Sequence, residues 1–387
     1  MKTILVSLVS EQTIPNILAI HHFKPDESLF VSTKEMEKKG KTSAILKTLE
    51  RLGLRYESAP VIVQEDSILD CHKKIYQRIE GNEDVEFIVN LTGGTKIMSI
   101  AAYEFFKDYG SKMIYIPIPK NEFITPFPKK STSNPVPLSA RLTVAQYLTA
   151  YGLKVSNEEK LKKYHEEALA RKDIAESIIH SYEEVKKLLV WLSGNLGQYR
   201  GKKKFGLVGS FEAAHEKEAQ LLSRLAIDYD GHIVSKNLEQ SEIRYLTGGW
   251  LEEFCFVELL QWVGRGIDDA VMGLQLKDAR GRNNEFDIMF TRDNSLYFVE
   301  CKSLDQQHDK NADALYKIGA LQKEFGLKVA SFFVTTSPHV LKEGKIRESV
   351  QARADQFKTT IVPPSQVTDF GRIIAQKLHI EKGNRVD

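Results

Sequence analysis

The sequence predicts an α/β protein that begins with an open, doubly wound parallel sheet, continues through a helical segment and ends in a second, mixed α/β unit. Strand and helix patterns alternate over residues 1 to about 120, which is typical of a parallel sheet covered by helices. A charged, mostly helical pattern follows, and from residue 241 helices mix with apolar strands again. The 387 residues are enough for two or three domains.

The composition predicts a folded cytoplasmic protein without a membrane segment. Hydrophobic residues make up 42% of the chain, and a net charge of +2 leaves any nucleic-acid surface to a local patch. Cys71, Cys255 and Cys301 lie too far apart for a zinc site or a disulfide framework, which favours a reducing compartment. The apolar run in "MKTILVSLVSEQ" is too short for an export signal, and no stretch reaches the roughly 20 apolar residues that span a bilayer.

We place the domain boundaries at changes of pattern. The first domain, 1–135, ends in the proline-rich run "PIPKNEFITPFPKKSTSNPVP", which we interpret as a domain exit. The second segment, 136–240, is mostly helical and contains "YRGKKKFG" (199–206), either a solvated loop or a nucleic-acid contact. The third domain takes residues 241–387.

Polar residues follow three strands of the first domain, at the sheet edge where doubly wound folds bind ligands. They are Ser10 and Gln12 after the first strand, Thr33 after the second, and Thr92, Gly93, Gly94, Thr95 and Lys96 after the fourth. Paired glycines let main-chain N–H groups approach an anion, the following helix N-terminus favours negative charge, and Lys96 adds a cation. The pattern is compatible with a phosphate site and equally with a tight turn in which Thr95 caps the helix.

The run "NEFDIMFTRDNSLYFVECK" (284–302) predicts a hairpin with a charged face. Glu300 and Lys302 share a face because successive side chains of a strand alternate, and a turn at 292–295 brings Asp287 beside Glu300. Neighbouring carboxylates repel unless a cation neutralises them, and Mg²⁺ or Mn²⁺ prefers such oxygen ligands. Lys302 could then orient or activate a water and offset charge on a phosphate. A simple surface pair of Glu300 and Lys302 leaves Asp287 unexplained.

Three further residues are candidates for the same site. Glu252 begins the apolar helix "LEEFCFVELLQWV" together with Glu253, although a helix N-terminus alone also favours carboxylates. Gln322 falls on the apolar stripe of "ALYKIGALQKEF" and needs a polar partner, either structural or at the metal. Cys301 joins Asp287 and Glu300 as the third candidate metal residue.

The motifs "SEQ" and "NLTGGTKIMS" in the first half and "GGWLEE", "NEFD" and "ECK" in the second make the chain similar to a family of CRISPR ancillary nucleases. Members join an N-terminal CARF domain, a Rossmann-like sensor of cyclic oligoadenylate, to a C-terminal PD-(D/E)xK nuclease domain of restriction-endonuclease-like fold. The resemblance covers nearly the whole chain, although the proline of the family's Pro-Asp pair is absent from "EFDIM".

The resemblance implies a type III CRISPR antiviral effector that cleaves single-stranded RNA or DNA, or nicks supercoiled DNA. It implies that Asp287 and Glu300 bind Mn²⁺ or Mg²⁺, that Lys302 is catalytic, and that Glu252, or Glu253 in its place, contributes from the helix. The polar residues at the strand ends would line the second-messenger site. Members are homodimers that bind one cyclic tetra-adenylate across the CARF pair.

Two other classes of protein fit parts of the sequence. A CARF-containing transcription regulator without catalysis would bind DNA through the central helices, where "LTVAQYLTAYGLKVS" (142–156) resembles a helix-turn-helix but lacks a basic recognition helix. A metal-independent ribonuclease would need an Arg with a His four to six residues beyond it in the helical region, and that spacing is absent. Dependence on a metal separates the three classes.

Overall fold

The computed structural model describes residues 1–81, 84–118, 120–128, 134–277, 283–304 and 329–380, and its first unit is a seven-stranded sheet covered by helices. The strands are β1 (Lys2–Leu8), β2 (Glu27–Ser32), β3 (Val61–Ile62), β4 (Val85–Asn90), β5 (Lys112–Tyr115), β6 (Glu122–Phe127) and β7 (Val136–Pro137). The helices are α1 (Ile14–Phe23), α2 (Lys34–Lys38), α3 (Lys41–Arg51), α4 (Ile68–Ile79) and α5 (Lys96–Lys107). The order is β3-β2-β1-β4-β5-β6-β7, and β1 to β5 are parallel, which confirms the predicted doubly wound sheet.

Both faces of the first sheet are buried because the side chains of its central strands alternate between two apolar cores. In β1, Leu5 enters the core formed with α1 and α3, whereas Ile4 and Val6 enter the core formed with α4 and α5. The loops that follow β1, β2 and β4 therefore emerge together at one edge of the sheet.

The proline-rich run is only in part a linker. Its described residues include β6, which pairs antiparallel with β5, and β7, which pairs antiparallel with β6. Proline is tolerated here because Pro137 lies in β7, the edge strand, and Pro126 lies beyond the part of β6 that pairs with β7. The first sheet thus continues beyond residue 135, while the domain boundaries at 135 and 240 stay predictions.

The middle segment is mostly helical, as predicted, but it also contains a small antiparallel sheet. Its helices are α6 (Val144–Ala150), α7 (Glu158–Ala170), α8 (Lys172–His180), α9 (Tyr182–Leu196) and α10 (Glu216–Arg224). Its strands, β8 (Lys204–Ser210), β9 (Asp228–Tyr229) and β10 (Ile233–Glu239), pair in the order β8-β10-β9. The sequence pattern missed this sheet because its strands are short, polar and largely exposed.

The last unit is built on a mixed five-stranded sheet, which agrees with the predicted mixed α/β class. Its elements are α11 (Gln240–Arg244), α12 (Trp250–Leu260), β11 (Asp269–Lys277), β12 (Asn283–Arg292), β13 (Ser295–Lys302), β14 (Val329–Thr335), β15 (Leu341–Lys342), β16 (Lys345–Ile346), α13 (Glu348–Gln356), β17 (Thr359–Val362) and α14 (Phe370–Lys377). The sheet order is β11-β12-β13-β14-β17; β11 to β13 are antiparallel, and β14 and β17 add in parallel. No helix in the described ranges is long and apolar enough to cross a membrane.

Helix α6 lies between the two large sheets and joins their apolar cores. Tyr147 and Leu148 of this helix belong to one buried cluster with Leu5 of the first sheet and Phe298 of the second. Because the apolar face of α6 is buried in this way, the helix does not offer the exposed recognition surface that a helix-turn-helix regulator would need.

The turn of the β12–β13 hairpin rests against the first unit through the side chain of Asn294. Its amide nitrogen donates to Asn121 Oδ1 at 2.8 Å and to the Ala140 carbonyl at 2.9 Å, and its oxygen accepts from the Leu142 N–H at 2.9 Å. Asn294 is 8% exposed. The hairpin is therefore fixed to the first unit at one end.

Candidate active site and ligand crevice

The β12–β13 hairpin places Asp287 opposite Glu300. The turn residues Asp293 and Asn294 have φ values of 50° and 56°, as a tight hairpin turn requires. Pairing runs from Arg292↔Ser295 to Ile288↔Val299, and the next step of this register aligns Asp287 with Glu300. There the carboxylate of Asp287 accepts the Cys301 N–H at 2.7 Å. This hydrogen bond holds Asp287 at the carboxyl end of β13.

A kink in β11 lies on the other side of Asp287. Residue pairs on both sides are in register, Met272↔Ile288 and Leu274↔Phe286, but Gly273 between them has a φ of 64°. A side chain there would press on the ring of Tyr164 in α7. Glycine kinks and bulges beside a functional residue re-aim its side chain, and sequence periodicity gave no sign of this one.

Glu300 and Lys302 lie on the same face of β13 and form an ion pair. Lys302 Nζ is 2.9 Å from Glu300 Oε1; the side chain of Glu300 is 5% exposed and that of Lys302 is 36% exposed. The carboxylate of the pair is therefore buried, whereas the lysine side chain is partly exposed to solvent. A surface ion pair alone would not require a carboxylate buried to this degree.

The "GGWLEE" segment brings Glu252 to the same place. Gly248 has a φ of 131°, and a Cβ there would collide with Ser303 Oγ, directly after Lys302. Glycine thus lets the start of α12 approach the end of β13. Glu252, in the first turn of α12, is close enough to Glu300 and Lys302 for their charges to act on its pKa.

The neighbouring Glu253 has a different role. Its carboxylate accepts a hydrogen bond from Arg171 Nε at 2.9 Å, and a second Arg171 nitrogen completes a two-pronged contact. The guanidinium also lies 4.8 Å from the centre of the Tyr245 ring. Glu253 therefore ties α12 to the helical segment, and of the two candidate glutamates it is Glu252 that lies with Asp287 and Glu300.

Burial and the charges of neighbouring carboxylates raise the pKa values of Asp287 and Glu252. The pKa of Asp287 is raised well above its usual value by burial and then by the charges of Glu252 and Glu300. Burial also raises the pKa of Glu252 to about 7, although Arg200 opposes this. Burial favours the neutral amine of Lys302, but Glu300 and Asp287 outweigh this and raise its pKa. The site thus concentrates negative charge that a cation would stabilise.

The donor set suits a hard divalent cation with an incomplete protein shell. In the part of the chain that the structure describes, no three His, Cys, Asp or Glu side chains are arranged as a complete metal site. Asp287 and Glu300 therefore remain the candidate carboxylate ligands, with further positions open to main-chain oxygen and water. Mg²⁺ in particular keeps several waters and takes only one or two carboxylates from the protein.

Cys301 faces the opposite way from Glu300. Its thiol is buried, and burial together with the neighbouring Cys255 raises the pKa of Cys301 well above its usual value, while its part in a metal site stays a prediction. Its main-chain carbonyl points to the same side as its N–H, which donates to Asp287. Gln322, the remaining candidate, lies outside the described residues.

Glu252 also lines a cavity of about 580 Å³ between the last unit and the helical segment. Basic residues of the segment, including Lys203, and Arg244 of α11 line the same cavity. The sequence singled out the stretch 199–206 but could not connect it with Glu252, since nearly fifty residues separate the two.

The turn after β4 has the backbone that an anion site needs. A Cβ at Gly93 would collide with the Leu8 carbonyl oxygen, and Gly94 has a φ of 73°. The Thr95 side chain caps α5 by accepting from the Met98 N–H at 3.2 Å, and its hydroxyl donates to the Glu65 carbonyl at 2.7 Å. Lys96 is exposed at the first position of α5. Helix N-terminus, glycines and lysine thus meet at one point, and the capping role of Thr95 coexists with them.

The other crevice candidates are held by internal hydrogen bonds. Thr33 caps α2 by accepting from the Met36 N–H, and Thr92 donates to Asn90 Oδ1 at 2.6 Å. Ser10 donates to the Gln12 carbonyl at 3.4 Å, and Gln12 Oε1 accepts from the Tyr151 hydroxyl at 2.8 Å. These bonds fix the walls of the crevice.

Two lysines that the sequence analysis did not single out also lie at the crevice. Lys39 and Lys41 approach the carboxylate of Glu11 at 2.5 and 2.9 Å, and their hydrogen bonds lower the pKa of Glu11. Lys41 is largely buried. The lysines follow the second strand at the break between α2 and α3, a break that the continuous helical pattern over 35–52 concealed.

Comparison with known families assigns the first and the last unit to known domain types. The sequence matches the family model described as Card1 CARF domain over residues 4–147 and the one described as Card1-like endonuclease domain over residues 239–380. The fold and the sequence therefore define a CARF domain joined to an endonuclease domain. The chain belongs to the CRISPR ancillary nucleases of this Card1-like type, which confirms the family recognised from its motifs.

Solved structures share the fold. Protein VC1899 from Vibrio cholerae is similar over 99% of both chains, with 18% identity and a TM-score of 0.78. The similarity to Can2 from Sulfobacillus thermosulfidooxidans, whose structure holds cyclic tetra-adenylate, covers 95% of this chain and 98% of Can2, with 20% identity and a TM-score of 0.73. A type III CRISPR defence DNA nuclease activated by cyclic oligoadenylate is similar over 87% of this chain and 45% of its own, with 17% identity and a TM-score of 0.50. No curated protein sequence matches the chain.

Proposed function

We propose that the protein is a metal-dependent endonuclease of the PD-(D/E)xK type that cyclic tetra-adenylate activates in type III CRISPR defence. The convergence of Glu252, Asp287 and Glu300 with Lys302 at the end of β13 carries the nuclease part of this proposal. Burial, and after it the charge of neighbouring glutamates including Glu300, raises the pKa values of Asp287 and Glu252. Carboxylates buried in this way are costly to the fold and are typical of functional sites.

Asp287 and Glu300 would hold the metal ion, and the main-chain carbonyl of Cys301 faces the same space. Mg²⁺ or Mn²⁺, when bound, supplies an activated water and polarises a phosphodiester. The protein's own task is to hold two carboxylates against their repulsion, which the Cys301 N–H does for Asp287 and the Lys302 ammonium does for Glu300.

Lys302 would offset negative charge on the phosphate, and Glu252 would transfer protons. Because Glu300 and Asp287 raise its pKa, Lys302 stays protonated at neutral pH and can offset negative charge on the phosphate. Glu252, with a pKa of about 7, can accept or release a proton at neutral pH, which suits a general acid or base.

The crevice at the turn after β4 would bind the activator. Main-chain N–H groups of the Gly93–Gly94 turn, the N-terminus of α5 and the Lys96 ammonium offer donors to phosphates. Can2, which shares the fold, holds cyclic tetra-adenylate in its structure. These observations support cyclic tetra-adenylate as the ligand of this chain.

Exposed apolar side chains on α4 and α5 support a homodimer. Leu69 is 79% exposed, Tyr76 49%, Ile100 52% and Tyr103 41%, although all four are large and apolar. Large apolar side chains exposed on two helices in contact with each other favour an interaction site, and α5 begins at the proposed phosphate site. A two-fold axis at this surface would offer a symmetric ligand the same crevice twice.

The proposed substrates are single-stranded RNA or DNA, with supercoiled DNA as a further substrate. Purified protein would be incubated with each labelled nucleic acid, with or without Mn²⁺ and with or without cyclic tetra-adenylate. We expect cleavage only when metal and activator are both present, and loss of cleavage in Lys302→Ala with the fold and activator affinity intact. Cleavage by Lys302→Ala at the rate of the unaltered protein would contradict the site.

Activator binding would be tested separately by calorimetry. Lys96→Ala should weaken binding of cyclic tetra-adenylate, whereas Lys107→Ala, at the other end of the same helix, should not. Equal affinities of the two variants would remove Lys96 from the binding site.

A further inference from the structure

Residues 200–204, here called the basic loop, carry Arg200, Lys202, Lys203 and Lys204 within five positions. The loop lies where the helical segment meets the last unit. Lys203 and Lys204 line the cavity that contains Glu252, and Arg200 is near enough to act on the Glu252 carboxylate. A basic stretch of the sequence thus borders the proposed active site.

The basic loop is held in a defined shape. The rings of Tyr199 and Phe205 at its two ends stack with their centres 3.8 Å apart. The Lys202 N–H donates to the Tyr199 carbonyl at 2.8 Å, and the carbonyl of Lys203 accepts the Gln240 N–H at 2.9 Å. A loop fixed in this way can present its side chains to a ligand with little further loss of conformational freedom.

Only part of the loop's charge is balanced by the protein. Lys204 pairs with Glu239 at 2.8 Å. Within the described ranges, by contrast, the side chains of Arg200 and Lys203 form no ion pair, and Lys160, which also lines the cavity, forms none either. Concentrated cations without protein partners attract an external polyanion and raise its local concentration.

The cavity has a volume of about 580 Å³, which is in the range of sites for small ligands and suits a short piece of a single strand. Its lining combines the cations Lys160, Lys203 and Arg244 with the carboxylates of Glu252 and Glu285. A phosphodiester chain would be held by the first group, and its scissile phosphate would meet the carboxylates only together with a cation.

We propose that Arg200 and Lys203 bind the phosphates that flank the cleaved bond of a single-stranded substrate and so position the strand beside Glu252. This assignment deepens the proposed nuclease function and rests on it. The two residues act by binding and not in the chemical step, so their loss should raise KM and leave kcat largely unchanged.

Lys202 provides a matched control, because it belongs to the same loop and carries the same charge but does not line the cavity. Binding of a fluorescent single-stranded oligomer of about 20 nucleotides would be measured by anisotropy for Lys203→Gln, Arg200→Gln and Lys202→Gln. Each variant would also carry Lys302→Ala, and the solution would contain cyclic tetra-adenylate and Mn²⁺, so that the cation is present and nothing is cut.

We expect Lys203→Gln and Arg200→Gln each to weaken binding by about 3- to 10-fold at low salt, and Lys202→Gln by less than about twofold. Removing one phosphate-binding cation should also reduce the slope of log affinity against log salt by about 0.7, the value for a single strand. In the variants without Lys302→Ala, the cleavage rates with Mn²⁺ should show the same order through KM.

The measurement separates this inference from the proposed function. If the unaltered protein binds the oligomer but cuts it under no condition, the nuclease proposal fails, while the difference between Lys203→Gln and Lys202→Gln still decides the role of the basic loop. Indistinguishable affinities and salt slopes for these two variants overturn the inference, and so does the absence of measurable binding by the protein that carries Lys302→Ala alone.

Discussion

Two consecutive glutamates of α12 lie in different surroundings, and a pair of single substitutions can test whether their roles differ. Glu252 lies with the acidic cluster, whereas Glu253 pairs with the partly buried Arg171. We expect Glu252→Gln to lower the cleavage rate by about 100-fold or more without destabilising the fold. Glu253→Gln should cost about 2–4 kcal/mol of unfolding free energy, because it leaves the Arg171 charge without its partner.

Cleavage rates and urea unfolding of both variants test this division. A stable Glu253→Gln variant with little activity, next to an active Glu252→Gln variant, would reverse the assignment.

The raised pKa of Glu252 predicts how the stability of the metal-free protein depends on pH. Its pKa is about 7 in the folded protein and 4.5 in the unfolded chain, so the folded state holds the proton more tightly. The corresponding stability is fully present below pH 4.5 and is lost as pH rises through about 7. We expect Glu252 to account for a loss on the order of 3 kcal/mol between these limits. The loss should be reduced by Mg²⁺ and smaller in Glu252→Gln, where Asp287, whose pKa is also raised, still contributes.

The measurement is urea unfolding at both ends of this pH range, first with a chelator that keeps the protein metal-free and then with added Mg²⁺. A stability that rises with pH by the same amount in the unaltered protein and in Glu252→Gln would contradict it.

At the scale of elements, hydrophobic pattern was a good guide wherever burial alone determines the structure. The parallel strands β1, β2 and β4 are buried on both faces, and their apolar runs identified them. The hairpin register was predictable because the Asp293–Asn294 turn and the alternation of β12 and β13 agree. The same alternation placed Glu300 and Lys302 on one face.

The pattern was a poor guide where pairing or long-range packing determines the structure. Prolines hid strand β6, and exposed polar residues hid β8 and β10, because none of these strands is buried on both faces. The choice between Glu252 and Glu253 depends on Arg171, about eighty residues away, which no local pattern reveals. The proximity of the basic loop to Glu252 likewise depends on long-range packing, which no local pattern reveals.

The β12–β13 hairpin joins the two halves physically, since its turn binds the first unit and its other end carries Asp287 and Glu300. Asn294→Gly would keep the turn, because glycine accepts its φ of 56°, but would remove the hydrogen bonds to Asn121 and Leu142. We expect the ratio of activated to basal cleavage to fall towards one and the unfolding free energy to fall by about 1–3 kcal/mol, because the Leu142 N–H loses its acceptor.

The ratio would be measured at saturating activator, with Asn121→Ala as a second variant that leaves the hairpin sequence unchanged. An undiminished ratio in both variants would mean that the signal takes another route.

At the scale of the whole molecule, the activator crevice and the acidic cluster belong to different sheets, and no side chain belongs to both. Their influence on each other must be a coupling free energy, which is reciprocal by thermodynamic necessity. We therefore expect bound single strand to tighten the binding of cyclic tetra-adenylate by the same factor by which the activator tightens binding of the strand. Calorimetry on Lys302→Ala, which should bind the strand without cutting it, measures both factors.

If the strand and the activator changed each other's affinity by unequal factors, a further binding event would have to accompany one of the two measurements. Equal activator affinities with and without the strand, together with full cleavage in the absence of activator, would show that the two units work independently.

The apolar cluster that α6 shares with both large sheets predicts that the molecule unfolds as one cooperative unit. Leu148 packs into a core that also contains Leu5 and Phe298, so neither sheet can lose its order without exposing part of the other. Heat should therefore unfold the sensor and nuclease units in one cooperative transition, with a heat-capacity change that reflects both. A sensor unit separated from its nuclease unit would expose this apolar face to water. We therefore expect recombination between members of such a family to exchange both units together, or to replace apolar residues at the junction by polar ones.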